Sequence, residues 1–455
     1  MTHVIVGAGP AGIRAAQTLA EHGIKPIVLD ENPTWGGQIY RQQPQNFKRT
    51  AKDLYGLEAA KAVRIHNTMA QILGKVDYRP SSLVWGAEAG HLDVLRDGKN
   101  ERIRFDKLII ATGTTDRILP FPGWTLPGIY TLGGAQVALK FQGCGIGRHV
   151  VFAGCGPLLY LVAYQYARAG AKVEAVLDTS GPFTKMAGLA RMVLQPAVLA
   201  KGIYYAGWLR ANGVPVYEGT RVIRAIGGAC VEKIVWRDGS RERETVCDAI
   251  GFGYALRSET QLADLLGCTF SFHALERAYL PDCDSAGRSS VPGIYLAGDG
   301  VCIQGADAAE WTGELAALAL LSDSDSHLNI DRRRMKKLGR KLAGATLFRR
   351  GLERAFPFPK DWASTAPDDL IICRCEEITA GQLRKAVTAC GALELNRLKA
   401  LTRVGMGRCQ GRMCGASASE ILAQATAQPI GKVGRLRSQA PIKPIPFSMA
   451  CVDKG

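Results

Sequence analysis

Four cysteines near the C-terminal end carry the most specific chemistry in this chain. Cys373 and Cys375 form a CxC pair, 33 residues follow, and Cys409 and Cys414 form a CxxxxC pair. Four thiolates offered from two short loops can enclose a metal centre. Gly405, Gly407 and Gly411 flank the second pair, and backbone N–H groups of such loops can point at sulfur and tune a cluster's potential. No histidine follows His327, which excludes a Rieske-type centre with its ligands in this region. On ligand count alone a [2Fe–2S] cluster and a structural zinc both remain. The total of thirteen cysteines is odd and CxxC occurs nowhere, so neither a complete disulfide framework nor dithiol chemistry is expected. Cys390, on a helical pattern between the pairs, reads as a core residue.

A second set of chemistry-bearing residues opens the chain. Over residues 3–31, HVIVGAGPAGIRAAQTLAEHGIKPIVLDE, an apolar run meets a loop holding Gly7, Gly9, Pro10, Ala11 and Gly12, then a helical stretch and a second apolar run. Gly7 makes the turn, Gly9 lets backbone approach a pyrophosphate, and Gly12 lets helix pack close to strand. The helix that starts there aims its free N–H groups and positive dipole end at the phosphates. Asp30, 23 positions after Gly7, is placed to accept hydrogen bonds from a ribose diol, and Glu31 is the second candidate. Gly36 and Gly37 would bring backbone against the flavin end of a dinucleotide, with Gln38 and Arg41 reaching its diphosphate or ring. Val84 belongs to a strand-like stretch, 82–96, and joins the expected contacts. Ala111, Thr112 and Gly113 end an apolar strand that returns to the cofactor. Gly298 and Asp299 end another, where the aspartate can accept from a ribityl hydroxyl. GxGxxG, ATG and GD in this order point to FAD. A flavin neighbour favours iron over zinc, because a one-electron carrier then has a redox partner.

The elements that must position these residues are α/β. Two dinucleotide-binding, Rossmann-like domains are expected, one inserted in the other, followed by a small, mainly helical domain around the cysteines. The expected limits are 1–117 with 285–328 for the FAD-binding domain and 118–284 for the inserted NAD(P)-binding-like domain. A basic linker or helix then covers 329–366, the cluster domain 367–428 and a tail 429–455. In the inserted unit Gly154, Gly156 and Pro157 repeat the fingerprint, but Leu159 stands where a third glycine should be. Asp178 at the end of the next strand would repel a 2′-phosphate, which argues against NADPH. A bound second nucleotide and a fold remnant both stay open.

At 455 residues, 47% hydrophobic and 22% charged, the chain has the composition of an ordinary globular enzyme of roughly two to four domains. No basic-then-apolar leader and no apolar run of about 18 residues occurs, so a cytoplasmic protein without a stable membrane span is expected. The net charge of +16 is uneven: 331–356 holds ten Lys or Arg against two acids. Aromatic interleaving and nucleic-acid motifs are absent there. The segment reads as a solvated helix face or a docking surface for an acidic partner, and no nucleic-acid partner is expected.

Taken together, GAGPAG, GGQIYR, ATGTTDRILPFPGW, GCGPLL, GIYLAGD, CRCEEIT and GMGRCQGRMC resemble a known family along nearly the whole chain. It is the FAD-binding subunit of bacterial opine oxidases and D-hydroxyproline or proline dehydrogenases, similar also to one component of hydrogen cyanide synthase and to part of the sarcosine oxidase α subunit. The cysteine region resembles the BFD-like [2Fe–2S] domain in its longer CxxxxC form. The resemblance implies an FAD- and [2Fe–2S]-containing electron-transfer subunit of a hetero-oligomer acting on CH–NH donors. Its implied partners are a D-amino-acid-oxidase-like flavoprotein subunit, where substrate is oxidised, and a small third subunit, with FMN at a subunit interface. No acid, base or nucleophile constellation for substrate stands out in this chain. Two rivals remain: an NADH-dependent ferredoxin-reductase-like flavoprotein, and an assembly or sensor protein whose cofactors are structural.

Overall fold

A computed structural model describes residues 1–44, 46–324 and 331–446. The chain opens with β1 (His3–Val6), α1 (Pro10–Glu21), β2 (Ile27–Leu29), β3 (Asp77–Arg79) and β4 (Lys107–Ile110). These short apolar runs pair in parallel, with Val4 facing Ile27 on one side and Leu108 on the other. Full burial of Val4, Ile5, Val28 and Leu108 is what a parallel sheet covered on both faces requires. The stretch 82–96 is a hairpin, Ser82–Glu88 against His91–Arg96, extended by Lys99–Arg104. It packs Val84, Leu92 and Val94 beneath β1 and β4.

The chain leaves this unit through Thr114–Asp116 and comes back through Leu256–Ser258, and the two crossings pair antiparallel. Between them lie β5 (Ile129–Thr131), β6 (His149–Cys155), α2 (Pro157–Arg168), β7 (Lys172–Asp178), α3 (Pro182–Met192), α4 (Pro196–Ala211), β8 (Val216–Glu218) and β9 (Ala249–Tyr254). The strands form a second parallel sheet, β8-β7-β6-β9-β5, backed by a three-stranded antiparallel sheet over 220–246. After the return crossing, Leu262, Ala263 and Cys268 bury against Val4, Val6 and Leu108. The chain thus re-enters the first unit at 256–258, where the sequence pattern had placed the return at 285.

β10 (Ile294–Leu296) then completes the first sheet in the order β10-β4-β1-β2-β3. α5 (Ala306–Ser324) lies against α1 so closely that a Cβ on Gly313 would sit 2.1 Å from the Ala11 carbonyl oxygen. α6 (Arg332–Ala355) is the basic segment, and α7 (Ala380–Cys390), α8 (Leu395–Thr402) and α9 (Gly415–Ala425) build the cysteine domain. That domain is not a separate bead: Ile372, Leu383, Leu398 and Ile421 share one core with Trp124 and Phe252 of the inserted unit. The Pro- and Phe-rich stretch 356–367, which reads as a linker, is the staple between them. Trp362 Nε1 donates to the Pro120 carbonyl (2.9 Å) and Trp124 Nε1 to the Ile371 carbonyl (2.7 Å). Cys390 is exposed rather than core, as the last residue of α7 before left-handed Gly391 carries the chain away. No helix among the described residues is long and apolar enough to cross a membrane.

Candidate functional site

The first glycine loop divides into positions that close the fold and one that opens it. A Cβ on Gly12 would lie 1.7 Å from the Gly7 carbonyl oxygen, and one on Gly7 2.3 Å from that of Ala111. These two glycines are demanded by backbone against backbone. Gly9 is different: its Cβ would meet only the Gly37 Cα, at 3.6 Å. Gly37, at φ +65°, comes so near that its own Cβ would be 2.8 Å from the Gly9 Cα, and a Cβ on Gly298 would be 2.9 Å from that of Ala11. The start of α1 (Pro10, Ala11), the Gly37 loop, the end of β4 (Ala111, Thr112, Gly113) and the Gly298–Asp299 turn therefore line one groove. Gly9→Val should leave folding and melting temperature near wild type while the purified protein loses its flavin. Gly12→Ala should fail at folding itself. Flavin absorbance together with a thermal melt separates the two.

Asp30 is buried at the end of β2 and accepts from the Ala8 N–H (2.5 Å) and from the Asn32 N–H and side-chain amide (2.7 and 2.8 Å). Burial lifts its carboxyl above the usual range. Glu31 turns outward to Lys443 at 2.8 Å. Asp299, also raised by burial, accepts from the Gln304 and Gly305 N–H groups at 2.9 and 3.1 Å, which orders the turn ahead of α5. Gln38 is exposed, and the Val84 side chain is spent in the core. Beside the Gly37 loop two buried cations have no salt-bridge partner among the described residues. The Arg41 Nε has no partner, and Lys140, missed in the sequence, donates only to the Ile39 carbonyl (3.1 Å). Burial, with repulsion from Arg41, holds Lys140 down to about 7. Two orphan cations next to an open glycine fit a bound diphosphate.

The cysteine pairs come together as their spacing requires. Cys373 ends the strand Ile371–Cys373, and Cys414 sits at the N-cap of α9. The thiols touch in a chain, Cys375 to Cys409, Cys409 to Cys414 and Cys414 to Cys373. Cys373 is held down to about 6 and Cys409 to about 5, in each case first by the hydrogen bond from Cys414, whose own thiol is pushed up. The Gly405 N–H supports the Cys373 sulfur and the Gly411 N–H that of Cys409. A Cβ on Gly407 would lie 2.3 Å from that of Cys375, so only glycine lets the loops close.

Among the described residues one trio of His, Cys, Asp or Glu ligand atoms lies within 4.8 Å, that of His273, Glu276 and Cys302. The trio itself stands beside a cation already, the Arg349 guanidinium at 3.6 Å from Glu276.

Residues 257–261 join the groove to the cysteine loop, a connection the sequence did not reveal. The Ser258 hydroxyl donates to the Asp299 carbonyl at 2.6 Å, the Thr112 hydroxyl donates to the Glu259 carbonyl at 2.7 Å, and the Glu259 N–H donates to the Gly113 carbonyl at 2.9 Å. On the other side the Glu259 carboxylate accepts two bonds from Arg412 (2.7 and 3.0 Å), Arg257 donates to the Gly411 carbonyl (3.0 Å) and Gln261 to that of Gln410 (2.6 Å).

Comparison with known proteins matches the groove and the cysteine pocket to two family models. The model for pyridine nucleotide-disulphide oxidoreductases covers residues 1–313, and that for the BFD-like [2Fe–2S] binding domain covers 371–424. The chain belongs to the pyridine nucleotide-disulphide oxidoreductase family. Within it, the protein is 38% identical to an opine oxidase subunit of Agrobacterium tumefaciens, over 97% of this chain and 90% of that one. It is 35% identical to hydrogen cyanide synthase subunit HcnB of Pseudomonas aeruginosa, over 98% and 97%. L-proline dehydrogenase from P. horikoshii shares the fold at a TM-score of 0.69 and 19% identity, over 98% of this chain and 78% of that one. Thioredoxin reductase of T. acidophilum does so at 0.52 and 20%, over 71% and 98%. The protein is a flavin-dependent oxidoreductase, and its cofactors are FAD and a [2Fe–2S] cluster.

The second nucleotide unit of this oxidoreductase is arranged differently from the first. A Cβ on Gly154 would lie 1.8 Å from the Gly253 carbonyl oxygen, Gly156 adopts φ +101°, Pro157 starts α2 and Leu159 is fully buried. Asp178 is fully buried too, and its carboxylate is taken. It accepts from the Tyr160 hydroxyl (2.7 Å), the Lys185 ammonium (2.7 Å) and the Ser180 N–H (2.8 Å). Lys185 comes from α3 and lies over the Phe356 ring, just past α6. Tyr160, Ser180 and Lys185 thus take up this carboxylate, and Phe356 lies against Lys185.

Proposed function

We propose that this chain is the electron-relaying subunit of a hetero-oligomeric dehydrogenase of amines or imino acids, of the opine oxidase or D-hydroxyproline and proline dehydrogenase kind. A D-amino-acid-oxidase-like flavoprotein partner oxidises the CH–NH substrate, and this chain passes the electrons to an acceptor. The observation that carries the reading is the 257–261 segment, bonded to the flavin groove on one side and the cysteine loop on the other. When bound, FAD takes electrons in pairs and a [2Fe–2S] cluster singly, so together they convert one currency of transfer into the other.

The chain's own residues divide the work of holding them. Gly9, Pro10, Ala11 and the α1 N-terminus receive the diphosphate with Arg41, Asp30 fixes the loop at the ribose end, and Gly37, Ala111, Thr112, Gly113, Gly298 and Asp299 shape the flavin end. Cys373, Cys375, Cys409 and Cys414 hold the iron. Entry of electrons from NADH on the inserted unit is disfavoured by the occupied Asp178 and by Leu159.

The test is anaerobic. The chain is co-purified with its oxidase-like partner, then mixed with opines, D-hydroxyproline, proline or glycine and an artificial acceptor while flavin and iron absorption are followed. Bleaching by one of these donors, and only with the partner present, is the expected result. Bleaching of the isolated chain by NADH would replace the reading with a ferredoxin-reductase-like one, and cyanide release from glycine would move it to the hydrogen cyanide synthase side.

A further inference from the structure

Arg257 is a cation set into the cysteine loop with no salt-bridge partner among the described residues. It lies on the return crossing, Leu256–Ser258, opposite Thr115 of the outgoing strand. From there its Nη1 donates to the Gly411 carbonyl (3.0 Å) and to the Arg412 carbonyl (3.2 Å). A Cβ on Gly415 would sit 3.3 Å from the same nitrogen. The guanidinium thus reaches residues on both sides of Cys414, within the turn that leads from Cys409 to α9.

Charge is unbalanced at this place. Glu259, two residues on, gives its carboxylate to Arg412 through two bonds (2.7 and 3.0 Å), so two guanidiniums share one acid. The other negative groups that act on Arg257 are the sulfurs of Cys414 and Cys409, and burial works against its charge. A brace for the loop would not need that charge. The Gly411 carbonyl already accepts from the Gly415 N–H at 2.8 Å, and a neutral donor could serve it as a second partner. A cation held in protein without a counter-ion is unfavourable unless an anion is brought to it. Four thiolates and two sulfides around two ferric ions make such an anion, which becomes more negative on taking an electron. A fixed positive charge beside it favours the reduced state.

Placement gives this charge a direction. Ser258 donates to the Asp299 carbonyl, and Glu259 is bonded to Thr112 and Gly113. Arg257 therefore stands on the side of the cysteine loop that is tied to the flavin groove.

We propose that Arg257 is a positioning residue for electron transfer, whose fixed charge at the Cys409–Cys414 turn raises the cluster's reduction potential and draws electrons from the flavin side onto iron. This rests on the reading above that Cys373, Cys375, Cys409 and Cys414 hold the cluster. In the step, one electron leaves the reduced flavin and one ferric ion becomes ferrous. No bond forms or breaks, and Arg257 keeps its protons throughout.

The experiment is an anaerobic redox titration of the full chain with FAD and iron bound, followed by flavin absorbance and by electron paramagnetic resonance of the reduced cluster. It needs neither partner nor substrate, so its outcome is independent of whether an oxidase-like subunit binds. Arg257→Gln and Arg257→Met remove the charge, the first keeping a hydrogen-bond donor, and Arg257→Lys keeps the charge. The uncharged variants should retain iron and FAD and shift the cluster's one-electron equilibrium about tenfold toward the oxidised form, a midpoint lower by about 59 mV. Arg257→Lys should stay close to wild type, and the flavin midpoint should move far less than that of the cluster. An unchanged cluster midpoint in the uncharged variants, an equal fall in Arg257→Lys, or an equal shift of the flavin would overturn the proposal. Loss of iron from both uncharged variants would overturn it too, because Arg257 would then be holding the loop together. Absence of iron from the wild-type protein, or of a signal when it is reduced, would instead remove the cluster from these cysteines and the proposal with it.

Discussion

Cys409→Ser is expected to strip the iron from the purified protein and leave FAD in place. Cys409 touches both Cys375 and Cys414, so it stands in the middle of the ligand chain, and a serine hydroxyl, harder and far less acidic, is a poor substitute for a thiolate on iron. FAD should survive because the groove is built on other cores. Ile5, Ile13 and Leu19 bury with α5, and Val4, Val6 and Leu108 with the antiparallel sheet, whereas the cysteine domain shares its core with the inserted unit. That shared core, stapled by Trp124 and Trp362, should also keep the iron-free domain attached instead of unfolded. Iron assay, flavin absorbance and a thermal melt read all three statements at once. Cys390→Ser, at an exposed helix end, should change none of them. Loss of flavin along with iron would show that the groove depends on the cluster, and zinc in the wild-type protein would defeat the cluster assignment outright.

What could be read from the sequence is what short spacing encodes. Gly7, Gly9 and Gly12, the acid at Asp30, the ATG and GD strand ends, and the two cysteine pairs each signal through neighbours within a few residues. The structure gathers them as one expects from turn and helix geometry. The residues that join the two cofactor regions gave no such signal. Glu259 and Arg412 are 153 positions apart, and Lys140 reaches Ile39 across the domain boundary, so each looks like an ordinary polar residue until the fold brings its partner. At Asp178 the sequence leaves a bound nucleotide and a fold remnant both open. In the structure its carboxylate accepts from Tyr160 and Lys185.

The Glu259–Arg412 pair should prove the most consequential single contact between the flavin and iron regions. Both side chains are nearly buried and the guanidinium meets the carboxylate with two bonds. Glu259→Ala would leave Arg412 buried and unpaired, at a cost of about 3–5 kcal/mol. Glu259→Gln keeps the shape and removes the charge, and it also tests the pH dependence. Burial alone would raise the Glu259 carboxyl, but Arg412, aided by Lys443 and Arg257, outweighs it and holds the group below its ordinary range. A carboxyl depressed on folding contributes stability that is present above its unfolded pKa and disappears as the pH falls through the folded value. The wild-type melting temperature should therefore drop on acidification below the ordinary glutamate range, whereas that of Glu259→Gln should start lower and vary less with pH over the same interval. In the assembled enzyme the variant should still show flavin bleaching by substrate but slower reduction of iron, because the segment holding the cysteine loop against Thr112 and Gly113 is loosened. Equal pH profiles for the two proteins, or iron reduction at the wild-type rate, would mean that the pair merely fills space between two regions that other contacts hold together.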